Sequence, residues 1–144
     1  MAHIYTDIEI NSNDIEKTWK ILTDFESFPD WNPFVKKLEV LDESIKVGSK
    51  LSVNLDGFSI KPKVTKFSEE NKEFSWLGKL FIPRIFDGEH MFKIERIDGN
   101  KLRFIQKEKF RGLLVWPILK LIGKQTQENF HKMNQTLKEL VETS

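Results

Sequence analysis

Near Leu113 the spacing of apolar residues changes for the rest of the chain, and that change limits what the chain can fold into. Before it, apolar side chains alternate with polar ones in separate runs. Ile4, Thr6, Ile8 and Ile10, for example, alternate with His3, Tyr5, Asp7 and Glu9, the period of a strand with one buried face. After it, Leu119, Ile122, Thr126, Phe130, Met133, Leu137, Leu140 and Val141 recur at threes and fours, the period of one long amphipathic helix. Pro117 is tolerated only in a helix's first turn, which places the start near Val115 or Trp116. Strands with one apolar face and one helix to cover them predict an α+β fold, a curved antiparallel sheet wrapped around the helix.

Seven strands are predicted. The first runs through Ile4 to Ile10, and Asn13 or Asp14 then caps a helix carrying Ile15, Trp19 and Leu22 on one face. The stretch DFESFPDWNPFV, Asp24 to Val35, follows with four aromatics and two prolines. Its prolines prevent one regular element: Pro33 biases Asn32, and Pro29 biases Phe28, toward extended backbone. The expectation is two short helices between the first and second strands. Further strands lie around Lys37 to Leu41 and Lys50 to Leu55, then Phe58 to Phe67 after an Asp56-Gly57 turn, with a bulge or break at Pro62. Phe74 to Leu80, Gly88 to Ile97 and Lys101 to Arg111 complete the set.

At 144 residues the chain has the size of one domain, taken as residues 1–144. Its 23 Lys plus Arg balance 22 Asp plus Glu, so no global field draws it to nucleic acid or anionic lipid. The basic stripe Arg103, Lys107, Lys109 and Arg111 faces Glu95 and Glu89 in the expected register, ordinary cross-strand pairing rather than a nucleic-acid patch. There is no cysteine, which excludes disulfides and thiolate chemistry. The three histidines lack metal-ligand spacing and the glycines form no phosphate loop, so no metal and no cofactor is expected. The N-terminus lacks the apolar core of a signal peptide and no apolar run reaches transmembrane length, so a cytoplasmic location is the expectation.

The hairpin from Glu89 to Phe110 carries the chemistry. His90, Phe92, Ile94 and Arg96 share one face of its first strand, and Leu102, Phe104, Gln106, Glu108 and Phe110 share one face of its second. Matching the apolar faces needs an odd-length connection, which Asp98-Gly99-Asn100 provides; Phe92 then faces Gln106 and His90 faces Glu108. Three polar groups in an apolar wall must bond to each other, to water or to a ligand. They form a self-satisfied cluster, orient a ligand's polar end, or exchange a proton with it. LLVWPILKLI, Leu113 to Ile122, is apolar nearly all round, so one side is either core, a gate, a homodimer surface, or a transient membrane contact through Leu113, Leu114 and Ile118, without stable insertion.

The element order, with FPDWNPFV, IKVGSKL, GEHMFKIE, the EKFRG turn and the terminal FHKMNQTLKELVE, resembles the SRPBCC superfamily, the START-like, polyketide cyclase/dehydrase-related group with the helix-grip fold. That resemblance covers essentially the whole chain. It implies a cavity between sheet and helix and spans lipid carriers, aromatase/cyclases and interaction modules. It also implies that the segment Phe28 to Phe34 walls the cavity entrance. The chain is therefore expected to bind a small, largely apolar ligand, a lipid or an aromatic, polyketide-like molecule. Expected lining residues are Trp76, His90, Phe92, Phe104, Gln106, Glu108 and Phe130, with Trp31, Phe34 and Trp116 nearer the mouth. The alternatives are a cyclase or dehydratase using His90 and Glu108 as acid and base, and a ligand-free interaction or activator module.

Overall fold

In a computed structural model, which describes residues 2–55, 57–80 and 84–144, the chain forms eight strands and three α-helices. The strands are β1 (Ala2–Asn11), β2 (Val35–Val40), β3 (Leu51–Leu55), β4 (Phe58–Ile60), β5 (Lys63–Ser68), β6 (Glu73–Leu80), β7 (Phe86–Asp98) and β8 (Lys101–Arg111). The helices are α1 (Ile15–Thr23), α2 (Phe28–Trp31) and α3 (Val115–Thr143), with a 3-10 turn over Phe25–Ser27. The count is eight rather than seven because the fourth expected strand breaks at Lys61-Pro62 into β4 and β5. Proline has no N–H to give a ladder. The break also divides the sheet: β1-β8-β7-β6-β5 form one, β2-β3-β4 the other. The seam between them is a single bridge, Lys50 to Lys63, flanked by hydrogen bonds from Leu51 N to Pro62 O (2.9 Å) and from Val64 N to Ser49 O (2.8 Å).

Asp14 is the N-cap of α1, its side chain accepting from Lys17 N at 3.0 Å. Trp19 and Leu22 are buried beneath it. In the following stretch Asn32 is extended, as Pro33 requires, but Phe28 is helical. Its ring is buried, 5.6 Å from Phe25 and 5.1 Å from Trp31, and that packing overrides the bias that Pro29 imposes. Asn32 then turns the chain into β2, its Oδ1 accepting from Phe34 N (3.0 Å) and Val35 N (3.4 Å). Across the β3–β4 hairpin Val53 pairs with Ile60 and Leu55 with Phe58, the pairing that a two-residue turn implies. Asp56 of that turn lies outside the described residues.

Phe92 pairs with Gln106 and His90 with Glu108 across β7 and β8. The parity arises differently from the expected three-residue loop. Asp98 pairs with Lys101, leaving a two-residue turn, and the register shifts between Arg96 and Asp98; the extra residue sits in a bulge at Ile97. Asp98 Oδ1 accepts from Asn100 N at 2.8 Å, which stabilises the tight turn.

Helix α3 begins at Val115 with Pro117 in its first turn. It lies across the five-stranded sheet, running in the direction of β1. Asn134 Nδ2 donates to Thr6 Oγ1 (3.0 Å), Lys138 Nζ to Glu9 O (3.0 Å), and Asn11 N to Glu142 Oε2 (3.0 Å). A helical turn of about 5.4 Å nearly matches two strand residues, so successive turns reach successive points on β1. This is the helix-grip arrangement. The buried side chains form two clusters rather than one: a large one around Trp19, Phe74, Phe92, Phe104 and Leu137, and a small one of Ala2, Phe86, Phe110 and Val115.

The small cluster hangs on the turn after β8. Gly112 has φ +136°, and a Cβ there would stand 2.3 Å from Ile85 O. Gly112→Ala should therefore lower stability by about 2–4 kcal/mol. The expected result is a lower urea midpoint at unchanged slope; an unchanged midpoint would show that this turn does not constrain the start of α3.

Candidate functional site

Between the two clusters lies a cavity of about 290 Å³. The five-stranded sheet walls it with Trp76, His90, Phe92, Gln106, Glu108 and Phe110. The three-stranded sheet adds Val53, Leu55, Phe58 and Ile60, and α3 adds Ile122, Thr126, Phe130 and Met133. Phe58 and Ile122 are also solvent-exposed, which marks the mouth between β4 and α3. Sheet curvature creates the space: the sheet holds α3 along β1, and the side chains of β6 and β7 cannot span the remaining distance.

The polar residues form a chain with a defined direction. Gln106 is fully buried, and its Nε2 donates to Phe130 O (3.1 Å) and to Asn134 Oδ1 (2.8 Å). Phe130 O can only accept, so the orientation of the Gln106 amide is fixed and its Oε1 points at His90. That oxygen lies 2.9 Å from His90 Nε2. His90 Nε2 therefore carries a hydrogen, and in the neutral ring Nδ1 is left as an acceptor. Nδ1 faces Glu108 Oε1 at 3.6 Å.

Both titratable groups are driven neutral. His90 stacks on Phe92 at 4.0 Å and lies 4.6 Å from the Phe130 ring. Burial in these surroundings pushes its imidazole down to about 3, against the opposing effect of the hydrogen bond that His90 donates to Gln106. Burial pushes the Glu108 carboxyl up to about 8. At neutral pH the site thus presents a carboxylic acid beside an imidazole lone pair. Each side chain still keeps some surface open to the cavity, 14% and 16%, so a bound molecule can reach both.

A missing side chain makes room for the acid. Gly88 precedes His90 on the same face of β7, and a Cβ there would stand 2.5 Å from Glu108 Oε2. Gly88 pairs with Gly78 across β6, so the cavity floor is bare backbone beside the carboxyl.

Of the residues expected at the site, Phe34, Trp76, His90, Phe92, Gln106, Glu108 and Phe130 line the cavity. Phe104, Trp31 and Trp116 do not. Phe104 shares its face with Gln106 but lies two residues earlier on β8, about 7 Å away, inside the large cluster. Trp31 packs against Phe28, with its Nε1 buried and without a hydrogen-bond partner among the described residues. Trp116 is on the outer side of α3 because Val115 takes the inward position. Ile118 also turns inward onto the small cluster, so of the three residues read as a surface contact only Leu113 and Leu114 are exposed. Asn134, which orients Gln106, is a further residue of the site, beyond those that the sequence pattern indicates. It stands four residues after Phe130, a polar position inside the apolar stripe of α3, and that placement was the available signal.

The chain matches, over residues 1–142, the family described as polyketide cyclase / dehydrase and lipid transport. No curated protein sequence matches it. Among solved structures, an aromatase/cyclase from Streptomyces sp. R1128 superposes with a TM-score of 0.76 at 12% identity, covering 98% of this chain and 93% of that one. Norcoclaurine synthase from Thalictrum flavum, in complex with dopamine and hydroxybenzaldehyde, gives 0.75 at 14% identity, covering 97% and 86%. A di-domain aromatase/cyclase of the BE-7585A biosynthetic pathway gives 0.78 at 12% identity; 99% of this chain is covered but it spans only 47% of that protein. At these identities the likeness is one of fold.

The two perturbed groups give the fold a pH profile. Glu108 titrates at about 8 when folded against an ordinary 4.5. The folded chain therefore holds a proton that the unfolded chain has released, and stability falls as pH rises from about 4.5 until about 8. His90 titrates at about 3 against 6.5, so stability also falls as pH drops from 6.5 toward 3. The two effects oppose each other between 4.5 and 6.5 and leave the optimum there. Glu108→Gln should remove the alkaline decline, gaining on the order of 4–5 kcal/mol over the parent at pH 9 and less than about 1 kcal/mol at pH 5. Parallel thermal-unfolding profiles from pH 5 to 9 would show that Glu108 is not held neutral.

Proposed function

The chain belongs to the polyketide cyclase / dehydrase and lipid transport family, and on that footing we propose that residues 1–144 act as one domain that binds a small, largely apolar molecule in the cavity. The observation that carries this reading is the cavity itself: aromatic and aliphatic walls with His90 and Glu108 converging at one end. That combination is the usual make-up of a small-molecule site, in which apolar contact supplies affinity and few polar groups set orientation. The volume of about 290 Å³ is at the lower end for such sites and suits a single flat ring system or a short chain better than a two-chain lipid. The norcoclaurine synthase structure, which holds dopamine and hydroxybenzaldehyde, supports an aromatic ligand of that size. A ligand-free interaction module would be better served by a filled interior.

The acid and the base also favour a second reading, catalysis of cyclisation or dehydration. A neutral carboxylic acid can protonate a departing hydroxyl or a carbonyl oxygen, and an imidazole lone pair 3.6 Å away can take a proton from an adjacent carbon. In this reading Glu108 is the acid, His90 Nδ1 the base, and Gln106 the residue that keeps the tautomer.

Freshly purified protein examined by native mass spectrometry should retain a small molecule. A panel of phenols, naphthols and fatty alcohols should bind with dissociation constants on the order of micromolar and quench the fluorescence of Trp76. Failure of every probe would remove both readings. Glu108→Gln separates them: a binding site keeps its affinity within a few-fold, whereas an acid–base site binds and no longer turns over.

A further inference from the structure

The first turns of α3 and the residues before it carry an apolar surface that the cavity does not use. Leu113 and Leu121 are 81% and 84% exposed and Trp116 is 68% exposed, with Leu114 and Ile122 beside them also exposed. Val115, Ile118 and Leu119 face inward onto the small cluster. At 3.6 residues per turn, Trp116, Pro117, Lys120, Leu121 and Lys124 therefore occupy the opposite side. A group of large hydrocarbon side chains so fully in water signals a contact surface.

The charges around it share one sign. From Arg111 to Gln127 the sequence contains Arg111, Lys120 and Lys124 and no acidic residue. Arg84 joins them, because its carbonyl accepts from Leu113 N at 3.0 Å. All four side chains are exposed, and none has an ion-pair partner among the described residues. The nearby carboxylates are Asp87, which pairs in register with Arg111, accepts from Arg84 N at 3.3 Å and is half-buried, and exposed Glu128, one helical turn beyond Lys124; two acids against four cations leave the platform positive.

Leucines and a tryptophan ringed by unpaired cations match the surface of an anionic bilayer. The hydrocarbon enters the acyl boundary, the indole sits at headgroup level, and the cations meet the lipid charges. A second copy of the chain fits poorly, since a two-fold contact would set these cations against themselves. No helix among the described residues is long and apolar enough to cross a membrane, so the surface lies on a bilayer rather than in it. We infer that this platform docks the protein reversibly on membranes bearing anionic lipids, through Leu113, Trp116 and Leu121 with Lys120 and Lys124. Ile122 is both exposed and part of the cavity wall, so docking sets the mouth on the membrane surface. The link to the mouth rests on the ligand-binding reading; docking itself does not.

The test is flotation of the ligand-free protein with vesicles of phosphatidylcholine alone and of phosphatidylcholine with phosphatidylserine. The expected result is binding to the second, weakened by salt, with a blue shift lost in Trp116→Phe. Leu113→Ser combined with Leu121→Ser should weaken vesicle binding roughly tenfold or more while leaving the unfolding temperature and probe binding in vesicle-free buffer unchanged. Lys120→Gln with Lys124→Gln should weaken binding and flatten its salt dependence. No binding to anionic vesicles, binding indifferent to the leucine pair, or sedimentation showing a dimer that the leucine pair dissociates would overturn the inference. Because flotation uses no ligand and the probe titration no vesicles, either reading can fail without the other.

Discussion

The fully buried amide of Gln106 sets the terms for the interior. Its nitrogen has two hydrogens, and both go to α3, one to a backbone carbonyl and one to Asn134. Asn134 in turn donates to Thr6 on β1, so one buried chain of bonds joins β8, the helix and the edge strand. Replacing any member with an apolar residue would leave a buried donor or acceptor unpaired, at about 1–3 kcal/mol each. The chain fixes the height and rotation of α3 over the sheet, and with them the separation of the two apolar clusters. It also fixes which His90 nitrogen carries the hydrogen.

Magnitudes explain why the His90–Glu108 pair is neutral rather than an ion pair. Opposite charges 3.6 Å apart attract by about 5 kcal/mol at an effective dielectric constant of about 20. Removing two ions from water costs several kcal/mol for each, and only good geometry with further hydrogen bonds recovers it. Glu108 accepts no hydrogen bond from a described residue, and His90 is stacked between aromatic rings. Desolvation wins, and the pair becomes a donor and an acceptor suited to a neutral hydroxyl, phenol or carbonyl. The same argument disfavours a bound carboxylate, which would meet no full positive charge there.

Much of this arrangement was legible in the residues, and the omissions have physical causes. Alternation along β7 and β8 was enough to set His90 opposite Glu108, because shifting a strand by one residue would turn a whole apolar face outward. The bulge at Ile97 was not legible, since a three-residue loop and a two-residue turn with a bulge produce the same parity. Pro62 announced a break but not its consequence; that β4 and β5 join different sheets depends on long-range pairing that no local pattern encodes. Phe104 illustrates a further limit. Periodicity assigns a residue to a face but not to a depth, and along one face of β8 the environment passes from cavity at Glu108 to solid core at Phe104. Asn134 is not legible as a site residue, because a polar residue in an apolar stripe reads as a defect until its partner on another element is known.

The seam at Pro62 gives the molecule an uneven stiffness. The long strands of the main sheet are tied by continuous ladders, and α3 is tied to β1 at intervals along its length. The three-stranded sheet, which forms one whole wall of the cavity, meets the main sheet at the Lys50–Lys63 bridge and the few hydrogen bonds beside it. Any swelling of the interior will therefore concentrate there, as a door moves at its hinge rather than through its panel. The wall that carries Phe58 at the mouth is the compliant one, and the wall that carries His90 and Glu108 is rigid. A guest of slightly different outline can thus be accommodated on the apolar side without disturbing the proton positions on the polar side.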